Sequence, residues 1–110
     1  FSVVRGSESL KVIQAAGAFS INILADSQQD ISNALAKKGG SEKMDGVPTR
    51  TGVTGAPIIE GSIGHMDCVL HAEFDGGDHV ILVGEIKQAE VGEALPPLLY
   101  FRSGYKTLPA

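Results

Sequence analysis

The chain has 110 residues, 43% hydrophobic and 20% charged, with a formal net charge of −4. That composition is globular and fits one domain over residues 1–110, large enough to bury roughly 65% of its unfolded surface. The acidic balance argues against a nucleic-acid partner, no apolar run nears the ~18 residues of a membrane helix, and the single cysteine, Cys68, excludes an internal disulfide framework or a multi-cysteine zinc site.

Phe1 to Val4 reads as a strand that begins at the first residue, which is not Met. It is therefore expected to continue something cut away. Phe1-Ser-Val-Val-Arg is too short and polar for a signal peptide, which makes a cytoplasmic setting the expectation. Arg5-Gly6-Ser7-Glu8-Ser9 is a polar turn ending in N-cap residues, and Leu10 to Ala16 follows as a short helix closed by Gly17. Ala18 to Ala25 alternates as a strand with Phe19, Ile21 and Ile23 on one face. Ser27 and Asp30 have capping-box spacing ahead of a second helix, whose apolar stripe is Ile31, Ala34 and Leu35 and whose stop is Gly39-Gly40.

Residues 41–57 are rich in glycine and proline and read as a long loop, a length that suggests a covering or functional role. Ser62 to Phe74 shows the strongest pattern in the chain. Met66, Cys68, Leu70, Ala72 and Phe74 share one face of a strand, and His65, Asp67, His71 and Glu73 share the other. Asp75-Gly76-Gly77 turns the chain, and His79 to Val91 completes a long antiparallel hairpin. Pro96-Pro97 breaks it, and Leu98 to Phe101 is a last strand. The fold class is mainly β within α+β: antiparallel strands with two short inserted helices, curling into a barrel or sandwich.

The chemistry is sparse. His65, Cys68 and His71 are spaced by three, but on a strand Cys68 faces away from both histidines. The histidines themselves lie about 20 Å apart, so no single ion bridges them. Cys68 is expected to be a small buried hydrophobe. There is no Gly-x-Ser-x-Gly elbow and no Gly-x-Gly-x-x-Gly fingerprint, so if a nicotinamide cofactor is used it is not held by a Rossmann fold. Two features stand out. Arg5, Gly6, Ser7 and Ser9 sit at a strand-to-helix junction, where hydroxyls and free N–H groups make either ordinary capping or an anion site. Gly76-Gly77-Asp78-His79 places a histidine at a strand start beside open space, either as a solvated turn residue or as a hydrogen-bonding group for a cofactor.

Five segments, in register, resemble the short-chain flavin reductases. They are Gly77-Asp-His-Val-Ile-Leu-Val-Gly-Glu-Ile, Pro97-Leu-Leu-Tyr-Phe-Arg-Ser-Gly-Tyr, Ala15-Ala-Gly-Ala-Phe-Ser-Ile-Asn-Ile-Leu, Thr51-Gly-Val-Thr-Gly-Ala-Pro-Ile-Ile-Glu-Gly-Ser and Met66-Asp-Cys. The resemblance implies an FMN-binding split barrel, shortened by the family's N-terminal third with its Thr-Ala-Ser-Ser-like strand. It implies hydride transfer from NAD(P)H to FMN or FAD, with the reduced flavin supplied to a monooxygenase partner. A flavoprotein that shuttles electrons without turning over free flavin, or an inactive fragment, is the alternative. The resemblance puts Ser7 and Ser9, with Arg5 and Gly6, at the flavin phosphate and ribityl chain. Asp78 and His79 fall near the flavin and nicotinamide rings, His79 acting in the hydride step. Tyr105 matches an aromatic near the end of the family chain and is a cofactor-binding candidate, although C-terminal packing is the preferred role, and Asn22 is read as structural. A homodimer is expected, because Ile63, Val69, Val80 and Leu82 on the hairpin exceed what one small barrel needs and because the family places its flavin near a subunit interface.

Overall fold

A computed structural model describes residues 1–109. Three antiparallel pairings build its main sheet. Strand β1 (Ser2–Val4) leads into helix α1 (Glu8–Ala16) and returns as β2 (Ala18–Ile23). A 3-10 turn at Asp26–Gln28 runs into helix α2 (Gln29–Leu35), and a second 3-10 turn spans Ser41–Met44. Short strands β3 (Thr49–Thr51) and β4 (Pro57–Ile59) pair with each other. The long hairpin of β5 (Gly64–Gly76) and β6 (His79–Val91) follows, then the small hairpin of β7 (Leu99–Phe101) and β8 (Gly104–Lys106). The four-stranded sheet has the order β1-β6-β5-β2.

Local chemistry accounts for α1. The Ser7 side chain accepts from the Leu10 amide at 3.2 Å, satisfying one of the orphan donors of the first turn. Gly17 closes the helix at φ 68, a left-handed position that glycine occupies without steric cost, and donates back to Ile13 at 2.8 Å. Leu10 and Ile13 then meet Val3, Leu70, Val80 and Leu82, so one helix covers one sheet face at the end where β1 and β6 pair.

The sheet is covered on both faces farther along β5. On one face, Gly84 lets the Phe19 ring lie against Cys68; a Cβ at Gly84 would collide with both. Phe1 packs edge-on against Phe19 at 5.1 Å between ring centres. On the other face the chain around β3 and β4 seals Asp67, while Ile58 and Ile59 supply buried apolar volume.

The structure corrects several expectations. The first helix starts at Glu8, two residues early, because Ser7 takes the cap. Ser27 does not cap the second helix; the Gln28 carboxamide accepts from the Ala25 amide at 2.9 Å instead. That helix ends at Leu35, short of Gly39-Gly40. The stretch 41–57 is not one loop, since it contains β3 and begins β4. The two-sided pattern of β5 is interrupted by register shifts between Asp67 and Cys68 and between Leu70 and Ala72. Its polar face is covered at one end only, for His65 and Asp67 are buried while His71 and Glu73 are exposed. A strand also follows Leu99–Phe101, through a turn with positive φ at Arg102 and Ser103. Val80 and Leu82, expected as spare apolar surface, belong to the chain's own core.

Candidate functional site

Strand pairing brings the two singled-out turns together. Val4 lies opposite His79, and the Arg5 amide donates to the Asp78 carbonyl at 2.9 Å. Arg5, Gly6, Ser7, Ser9, Asp78 and His79 therefore occupy one corner of the molecule, at the end of β1 and the start of β6. Gly6 (φ 84) and Gly77 (φ 77) leave open space where a side chain would stand. Helix α1 points its N-terminus into this corner, with Glu8 in its first turn.

Each side chain has a definite role there. The Arg5 guanidinium donates to Asp75 Oδ1 at 2.6 Å through Nη2, and to the Gly77 carbonyl at 3.1 Å through Nε. Asp78 Oδ1 lies 2.8 Å from His79 Nδ1. That hydrogen bond, reinforced by the imidazole's charge, holds the Asp78 carboxyl below its ordinary value. A carboxylate partner fixes the proton on Nδ1, so His79 presents Nε2 outward, an acceptor when neutral and a donor when protonated. Ser7 caps its own helix. Ser9 accepts from Lys43 Nζ at 2.8 Å, which ties the second 3-10 turn across to α1.

Beside this corner lies a mostly apolar cleft of about 750 Å³. Its walls come from α1 and β2, from the second 3-10 turn and from residues 54–59; Phe1, Ile13, Phe19, Lys43, Thr54 and Ile59 are among them. Ser9 belongs to both the cleft and the polar corner. Tyr105 is not brought to either. Its hydroxyl donates to Ser32 Oγ at 2.8 Å or Asn33 Oδ1 at 3.1 Å on α2, and its ring packs on Tyr100. Asn22 joins β2 to β4, its Oδ1 accepting from the Ile59 amide at 3.0 Å and its Nδ2 donating to Ser20, and it also lines the cleft.

Three residues of the site went unread in the sequence. Lys43 is a lone cation in an irregular segment with no period to flag it. Asp75 looked like an ordinary turn residue. Asp67, fully buried, accepts from the Thr54 amide at 3.2 Å and from the Thr54 hydroxyl, and so fastens the loop that walls the cleft. Gly52 stands where any side chain would overlap that carboxylate. Cys68 is buried as expected, and desolvation, with the Asp67 charge second, pushes its thiol up from the ordinary value.

The mainly antiparallel strands with two short inserted helices form the split-barrel fold of the flavin reductases. The family model described as "Flavin reductase like domain" matches residues 1–109, and the chain belongs to that family. It is 36% identical over 118 residues to the reductase subunit HsaB of a flavin-dependent monooxygenase from Mycobacterium tuberculosis, covering 100% of this chain and 63% of that one. It is 37% identical over 101 residues to a flavin reductase from Pseudomonas putida, covering 92% and 59%. The crystal structure of nitrilotriacetate monooxygenase component B from Mycobacterium thermoresistibile superposes with a TM-score of 0.90 at 34% identity, covering 99% of this chain and 62% of that one. The chain thus spans under two thirds of each of these proteins. Among the described residues, no helix is long and apolar enough to cross a membrane.

Proposed function

We propose that the chain forms the cofactor-binding part of an NAD(P)H:flavin oxidoreductase whose reduced flavin passes to a monooxygenase partner. One observation carries this reading: Arg5, at the end of β1 where the chain enters α1, is hydrogen-bonded to the His79 turn, far away in sequence, beside an apolar cleft. The donor set fits a flavin nucleotide. First-turn N–H groups of α1 lack intrahelical acceptors, the Ser7 and Ser9 hydroxyls keep their protons to donate, and Lys43 adds a cation at the cleft mouth. Bound FMN or FAD supplies the two-electron acceptor chemistry.

The chain's own residues bind, orient and exclude water. Gly6 and Gly77 admit a planar ring close to the backbone. Phe1, Ile13 and Phe19 keep the cleft dry, which strengthens every polar contact at its rim. His79, oriented by Asp78, offers Nε2 to the nicotinamide side as a hydrogen-bonding group that orients the ring. A cytoplasmic enzyme of this kind acts as a homodimer, a reading supported by an exposed apolar row on the hairpin, with Phe74 lying opposite Ile81 and Val83 two residues on.

Steady-state kinetics test the reading. The rate should saturate with added free flavin; a rate independent of it returns the chain to an electron-shuttling flavoprotein. His79→Ala should lower kcat/KM for NAD(P)H about tenfold to a hundredfold, the worth of one hydrogen bond, with flavin affinity changing less. Its melting temperature should barely move, because the ring's hydrogen-bond partner is the exposed Asp78 carboxylate and the side chain is 40% exposed. Unchanged efficiency would leave His79 a solvated turn residue.

A further inference from the structure

We propose that Arg5 and Asp75 form a tether that positions the His79 turn, so that Arg5 serves the nicotinamide step through geometry and not as a ligand for cofactor phosphate. This rests on the reading of His79 given above.

The turn needs such a device. Between the paired residues Gly76 and His79 stand only Gly77 and Asp78, with Gly77 at positive φ and no heavy atom within 4 Å of its Cβ position. Gly77 has no side chain to pack and glycine has the largest backbone freedom of any residue. The Asp78 side chain is exposed. His79 itself is paired with Val4 and Gly76, so the freedom that matters is that of Gly77 and of Asp78, whose carboxylate orients the imidazole.

Arg5 removes that freedom from outside. Its Nε donates to the Gly77 carbonyl at 3.1 Å; its Nη2 reaches Asp75 Oδ1 at 2.6 Å and the His79 carbonyl at 3.4 Å. Its backbone amide holds the Asp78 carbonyl at 2.9 Å. Asp75 Oδ1 also accepts from the Gly77 amide at 3.0 Å. Asp75, Gly77, Asp78 and His79 are thus all fastened, directly or through Asp75, to one residue at the end of β1. The planar guanidinium fork can serve several acceptors in fixed directions, which an ammonium cannot. The same arrangement weakens Arg5 as an anion site, because Asp75 already compensates its charge at contact distance. The ion pair is exposed on both sides, 52% and 82%, so its loss should not unfold the chain. Its effect falls on placement, where small displacements cost rate.

Opposite predictions separate a tether from a phosphate ligand. In the full-length protein, Asp75→Ala should lower kcat/KM for NAD(P)H about threefold to tenfold, and Arg5→Ala should do the same, with the KM for flavin and the melting temperature nearly unchanged. Asp75→Asn keeps an oxygen acceptor and should recover most of the loss. Arg5→Lys keeps the charge but not the fork and should not. If Arg5 instead bound phosphate, Asp75→Ala would leave or improve the efficiency and Arg5→Lys would largely preserve it; either result overturns the tether. The His79 imidazole resonance gives a readout independent of turnover. It should broaden or shift in Arg5→Ala and Asp75→Ala, and an unchanged signal in both overturns the proposal even if the wild-type protein reduces no flavin. A wild-type protein without flavin turnover, whose His79 signal nonetheless responds to both variants, would sink the functional reading and leave the tether standing.

Discussion

At the scale of single residues, Asp67 shows how a charge can be buried without harm. It is fully buried on β5, yet two donors of Thr54 meet it and Gly52 yields the space it needs. A buried carboxylate is tolerable only with such partners. Truncation reverses the balance, because the Thr54 amide and hydroxyl lose their acceptor while the cavity stays closed. Asp67→Ala should therefore destabilise by about 2–4 kcal/mol, and Asp67→Asn, which keeps one oxygen, by about 1 kcal/mol. Urea unfolding with an unchanged slope measures this. Equal midpoints for Asp67→Ala and the wild type would mean that the loop at residues 52–56 is held by its own turn, through Gly52 and Ala56, and not by the carboxylate. The sequence pattern put Asp67 on a polar face, and by strand parity it does lie opposite to Cys68. What periodicity cannot reveal is that a distant segment covers that face. Burial of a polar side is a tertiary event, with no signature in the alternation itself.

At the scale of elements, legibility followed the strength of the local signal. Helix α1 carries a serine cap and a glycine stop, and its C-terminal end at Ala16 was readable to the residue. Strand β6 begins at His79 and ends at Val91 as the turn residues before it and the break after it dictate. Strands β3 and β4 were hidden because three residues are too few for a period and because Pro57 and the glycines around them read as loop. Strand β8 was hidden for a different reason: the β7–β8 turn uses Arg102 and Ser103 at positive φ, where Asn-Gly would have announced it. The candidate corner was legible in its members but not in its wiring. Arg5 and His79 could be singled out, whereas Asp75 acquires meaning only once β1 and β6 pair. One element depends on a residue with no local signal of its role. Gly84 sits in β6 with the Phe19 ring and the Cys68 Cβ, at 2.9 Å, in the volume a methyl would take. Gly84→Ala should cost about 1–3 kcal/mol through displacement of Phe19 and its partner Phe1, despite the better strand propensity of alanine. Thermal melts check it, and a neutral or stabilising effect would show that the aromatic pair has room to shift.

At the scale of the whole molecule, the hairpin of β5 and β6 has more apolar surface than its own core uses. Val80 and Leu82 turn inward to Leu10, so the expectation that they were spare was mistaken in its residues. The alternate positions are the exposed ones: Ile81 at 40% and Val83 at 39%, with Phe74 at 56% on the neighbouring strand opposite Ile81. This follows from period-two geometry, since a strand that buries Val80 and Leu82 must present Ile81 and Val83 on its other face. An adjacent apolar row on a long hairpin is suited to a self-complementary contact about a two-fold axis, in which each copy covers the other's row. Sedimentation of the full-length protein at micromolar concentration should give a dimer. Val83→Glu places a charge in the middle of the row, and burying it unpaired is costly, so that variant should sediment as monomer. Its fold should persist, because Val83 makes no part of the core that joins α1 to the sheet. A wild type that sediments only as monomer overturns the dimer. A Val83→Glu protein that stays dimeric moves the interface away from this row.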